Sequence, residues 1–176
     1  PPALTGPQAH ALAAAAIVGG TFDTDEFLQV TALPEDDAYA ILDDAMSLRL
    51  LVRAPTGYAF RHALLRDAVL DRLRPSEFRA LHRRAAVALE SLARSPARIG
   101  YHLVQAGDPA AAVPWMLRAA ETSAALGAYR EAMSTLEQVR PQAVGVDLAR
   151  LLSLRAELLM ASADAGAVDA YREALA

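Results

Sequence analysis

The chain has 176 residues, with 21 acidic and 17 basic side chains for a net charge of −4, and it has no cysteine, so a disulfide framework and thiolate chemistry are excluded. Every basic residue is arginine, and a chain without lysine cannot form a phosphate-binding loop ending Gly-Lys-Ser/Thr, so no nucleotide hydrolysis is expected from it. No apolar run reaches the roughly 18 residues a membrane span needs, and the short apolar stretch 11–18 lacks the basic flank of a secretion signal, so a cytoplasmic protein without membrane contact is expected.

In chain order, residues 8–18 read as a first helix, stopped by Gly19-Gly20. Asp23 or Thr24 can cap a second helix whose first turn holds Asp25 and Glu26, where the helix dipole favours negative charge. Pro34 opens a third helix, in which Ala38, Ile41, Leu42, Ala45 and Leu48 repeat at three and four and predict one buried face. Residues 50–53 and 58–61 read as short strands around the turn Pro55-Thr56-Gly57. Three helices followed by a small hairpin is the order of a winged helix. At Tyr58 to Asp67 the period changes from two to that of a helix, and the handover falls at His62, next to N–H groups that lack intrahelical partners and suit an anion. A histidine at such a junction also serves as a packing or capping residue.

The winged-helix order raises DNA binding, and the charges argue against it. Residues 1–50 carry eight acids against Arg49 alone, and the third helix exposes Glu35, Asp36, Asp37, Asp43 and Asp44, a surface that repels phosphate. Between residues 51 and 100 ten arginines face four acids. They are expected to form the solvated side of helices such as that from the cap Ser76 to Ala93, whose apolar face is Phe78, Leu81, Ala85, Leu89 and Leu92.

The remainder is helical by pattern and repeats itself. Gly127-Ala128-Tyr129 followed by Ala132, Leu136 and Val139 has the spacing of a tetratricopeptide turn and second helix, and the series recurs 35 residues on as Ala167, Tyr171 and Ala174. Gly107-Asp108-Pro109 before Ala112 and Met116 is an earlier copy of the turn, and Trp115 is expected to be largely buried between helices. The expected organisation is a winged-helix domain over 1–75, a linker helix over 76–96 and tetratricopeptide-like repeats over 97–176. The chain opens Pro-Pro and stops inside a helical pattern, from which a segment of a longer protein is expected. The four histidines, His10, His62, His82 and His102, lie twenty or more residues apart with no metal-ligand spacing, and no Gly-x-Ser-x-Gly elbow is present, so no enzyme is expected and neither a catalytic nor a metal site is assigned.

The run from Tyr58 to Val69, then Arg79-Ala-Leu-His82-Arg-Arg-Ala85-Ala86, Tyr101-His102-Leu103 and Ala106-Gly107-Asp108, resembles the region after the ATPase core of bacterial LuxR-type transcriptional regulators of the STAND class. The resemblance implies a mainly α fold, a winged helix joined to a tetratricopeptide-like superhelix. It further implies an upstream ATPase domain in the same chain that holds ADP or ATP, and a protein or small-molecule inducer at the repeats. The strand-histidine-helix element is also similar to the Met-His-Asp motif of immune STAND proteins, in which the histidine contacts the ADP phosphate. Arg61 and Ala63 stand at the outer positions here, so His62 alone carries over. The resulting expectation is a non-catalytic regulatory and sensor fragment that couples nucleotide state to signal or partner binding. The alternative is a freestanding tetratricopeptide adaptor.

Overall fold

The computed structural model describes residues 6–162 as nine α-helices and one small antiparallel sheet of three strands, divided into two compact units that meet in sequence between Ala93 and Arg94. In the first unit, α1 (Gly6–Val18) is buried on every side from Ala11 to Val18. Its run of alanines explains this, because side chains ending at Cβ let α2 (Thr24–Thr31), α4 (Ala63–Leu70) and α5 (Pro75–Ser91) all approach it closely.

The expected cap of α2 is present in full. Asp23 Oδ1 accepts from the Glu26 amide at 2.8 Å, while Glu26 Oε2 accepts from the Asp23 amide at 3.4 Å, a reciprocal capping box. Helix α3 (Glu35–Ser47) buries Ala38, Ile41, Leu42 and Ala45, as its spacing predicts, whereas Leu48 falls just past the helix and is half-buried.

The hairpin of β2 (Leu51–Ala54) and β3 (Gly57–Phe60) has a third strand that the sequence pattern did not reveal. Thr21-Phe22 forms β1, which pairs antiparallel with β3 in the register Thr21 to Ala59 and Phe22 to Tyr58, so the strand order is β1-β3-β2. Phe22 then stacks on Phe27 and Tyr58 at 5.8 and 5.9 Å between ring centres, fastening the sheet to α2. Gly57 answers to the same strand. Its φ is +147°, and a Cβ there would lie 2.4 Å from the Phe22 carbonyl oxygen.

Residues 76–96, expected as a linker, behave otherwise. Helix α5 starts at Pro75, with Arg74 rather than Ser76 in the capping position, and packs Leu81, Ala85 and Ala88 into the core that α1, α2 and the sheet share. The first unit therefore runs on to Ala93. An amphipathic face announces that a helix is covered but not by which neighbour, and here the neighbours are α1 and α2.

The second unit contains α6 (Pro96–Gln105), α7 (Pro109–Ala125), α8 (Tyr129–Val139), a short 3-10 turn (Arg140–Gln142) and α9 (Gly145–Ala161). Sequential helices pack on one another, and α7 touches both α6 and α8. Gly107 and Gly127 take the left-handed φ values of +84° and +77° at the two turns. At Gly100 a Cβ would lie 2.6 Å from Met116 Sδ, so the missing side chain is what brings α6 onto α7. Ala112, Met116, Ala132, Leu136 and Val139 are buried in one core. Trp115 is not in that core. It is half-buried, with the Arg118 guanidinium 4.9 Å from its ring centre. The buried stripe of α7 follows 112, 116 and 120 together with 113 and 117, which leaves position 115 at its edge. The second copy of the repeat series, Ala167, Tyr171 and Ala174, lies outside the described residues.

Candidate functional site

Strand β3 ends at Phe60, and the Arg61 amide still donates to the Leu50 carbonyl at 2.9 Å, so the chain leaves the sheet in a fixed direction. His62 follows with extended backbone (φ −140°, ψ 139°) as the residue preceding α4, and its carbonyl accepts from the Leu65 amide at 3.0 Å, closing the first turn. The imidazole is exposed and makes no capping hydrogen bond. Neither packing nor capping, the two ordinary roles for a histidine at such a junction, is therefore its role in this structure. The amides of Ala63 and Leu64 have no acceptor among the described residues, and Leu64 itself is 80% exposed. An imidazole, a helix start and an exposed leucine thus share one small surface. Electrostatically it favours a negative group, because the helix start carries partial positive charge and Arg61 beside it is exposed.

What holds this surface in place is a residue that sequence reasoning passed over. Helix α4 buries none of its side chains, but Arg66, one turn after His62, reaches back so that its Nε donates to the Ala16 carbonyl at 2.8 Å. Ala16 lies in the last turn of α1, where carbonyls lack intrahelical donors and no basic residue of α1 itself is present. Arg84 does the same for α2, its Nη2 donating to the Thr31 carbonyl at 2.8 Å. Two arginines of the expected solvated stripe are therefore helix caps supplied from a distance, each placing a cation on a negative dipole end.

Neither a family model, nor a curated protein, nor a solved structure matches the chain.

The other histidines are placed differently. His82 on α5 is 2% exposed with Phe78 against its ring at 4.4 Å, and burial, assisted by the Arg66 charge, pushes its imidazole down to about 4. His102 on α6 is 1% exposed beside Tyr101, and His10 is exposed on α1. Among the described residues no group of three or more His, Asp or Glu side chains could hold a metal ion, and no helix is long and apolar enough to cross a membrane. The acids of α3 are exposed as expected, with Asp44 accepting from Gln8 Nε2 at 2.7 Å.

Proposed function

We propose that the chain is a non-catalytic regulatory segment of a STAND-type ATPase and transcriptional regulator. In this reading its first unit is a winged helix that contacts an upstream nucleotide-binding domain, and its second unit is a tetratricopeptide-like superhelix that receives an inducer or partner protein. The observation that carries the reading is the exposure of His62 at the start of α4, without a structural partner and beside two amides that have no acceptor. A phosphate placed there would accept from the imidazole and from the helix start together, and the exposed Leu64 offers the apolar contact a docking domain needs. The nucleotide-binding loop itself belongs to the upstream domain. The residues of this chain would hold the phosphate end of ADP and report its presence.

A charge-assisted hydrogen bond contributes about 1.5–3 kcal/mol, which converts to roughly a ten- to hundredfold change in occupancy. The test is ADP dissociation from matched full-length proteins, wild type and His62→Ala, together with thermal melting of the present chain. Faster ADP release and raised basal output with an unchanged melting temperature is the expected result. Unchanged release with a large loss of stability would make His62 a packing residue and remove the switch.

A further inference from the structure

A concave surface lies in the same unit, where α1 meets the C-terminal end of α4 and the start of α5. Ala9 and Ala13 from α1 face Val69 and Leu73 across a cleft of about 220 Å³, with His10, Arg72 and Glu77 as its polar members. That volume is below the usual range for drug-sized ligands, which favours a small molecule.

The charges at the mouth are unequal in an informative way. The two oxygens of Glu77 are taken by Arg74, one by its guanidinium at 2.6 Å and the other by its backbone amide at 2.9 Å. These contacts hold the Glu77 carboxyl down at about 2, so it stays ionised and its charge is matched by Arg74. Arg72 has no ion pair or hydrogen bond among the described residues. The exposed guanidinium of Arg72 therefore stands without an ion-pair partner at the edge of the cleft, with the His10 ring and the Arg74-bound Glu77 as the other polar groups on the wall.

We propose that this cleft binds a small aliphatic monocarboxylate, its hydrocarbon body against Ala9, Ala13, Val69 and Leu73 and its carboxylate on Arg72. A guanidinium matches a carboxylate in shape as well as charge, since two parallel N–H groups meet two oxygens. The site is independent of the part assigned to His62 and stands or falls separately from it.

The test uses the full chain and three ligands of one shape, 4-methylpentanoate, 4-methylpentanamide and 4-methylpentylamine, titrated while backbone amide resonances are followed. The carboxylate should saturate with Kd below about 1 mM, shifting Ala9, Ala13 and Leu73, and the amide should bind about two- to fivefold more weakly. Arg72 is exposed, so Arg72→Gln should weaken the carboxylate by about two- to fivefold at unchanged melting temperature, and Ala9→Leu should block all three by filling the cleft. Equal affinity for carboxylate and amide, tighter binding of the amine, indifference to Arg72→Gln, or no saturation by the carboxylate each overturns the proposal.

Discussion

Replacing Arg66 with methionine keeps the aliphatic stem and removes the guanidinium that donates to the Ala16 carbonyl at 2.8 Å. Ala16 is fully buried, so its carbonyl would lose a charged donor. Hydrogen bonds to charged groups contribute about 1.5–3 kcal/mol, and a cation at a helix C-terminus overlaps with that same interaction rather than adding to it in full. A loss of about 2 kcal/mol is expected, felt first in α4, which buries no side chain of its own. Amide hydrogen exchange of α1 and α4 measures the change inside the first unit, whatever the second unit does. Arg79→Met is the control, because Arg79 is exposed on α5 and should change stability by less than about 0.5 kcal/mol. The same Arg66 variant should raise the His82 imidazole from about 4, since the Arg66 charge is one of the two causes that hold it down. If Arg66→Met matches the control in exchange and leaves His82 where it was, the bond to α1 contributes nothing and α4 is held in another way.

His82 gives a pH dependence of definite sign. Its ordinary value of 6.5 applies to the unfolded chain and about 4 to the folded one, so between those values the unfolded state binds more protons and stability falls as pH is lowered. The loss begins near pH 6.5, is complete below about 4, and reaches on the order of 3 kcal/mol at 1.36 kcal/mol per unit; the difference between wild type and His82→Gln in urea melts at several pH values isolates it from the carboxylates. Gly57→Ala should cost about 1–3 kcal/mol by strain at positive φ and lower the thermal midpoint, and a neutral result would deny the close approach of β1. Duplex DNA should show no salt-sensitive binding to the chain in fluorescence anisotropy, because the exposed acids of α3 repel phosphate; submicromolar binding that weakens steeply with salt would refute this.

Elements whose signals are local were legible, and those that depend on distant partners were not. The capping box at Asp23 and Glu26 is written within four residues, so the start of α2 could be read directly. The buried face of α3 follows from spacing inside one helix. Strand β1 has only two residues, too few to display a period, and its trace in the sequence is indirect, a glycine at position 57 required both by its positive φ and by the approach of the third strand. The division near residue 93 rather than 75 depends on which neighbour covers the apolar face of α5, which spacing along α5 cannot encode. Trp115 was misplaced for a related reason: a large aromatic in a helical repeat invites a core position, yet the stripe of α7 passes beside it and Arg118 covers its ring instead. For His62 the sequence supplied the strand-to-helix handover but not the exposure of the ring, because exposure depends on what the rest of the unit fails to place over it.

The two proposed sites lie at opposite ends of one small element, and this bears on how either could report its occupancy. Helix α4 spans Ala63 to Leu70, about 12 Å at 1.5 Å per residue, with His62 before its first turn and Arg72 just past its last. Its attachment consists of the Arg66 bond and of Val69 and Leu70, which are only half-buried against the core, with Leu73 just beyond. An element without a fully buried side chain is displaced at a smaller cost than one sunk in the core. A helix sunk in the core, as α1 is from Ala11 to Val18, could not respond to a single phosphate or carboxylate, since moving it would expose eight buried residues. The partial burial of α4 suits the proposed role, because a ligand can shift an equilibrium only by its own difference in affinity for the two positions.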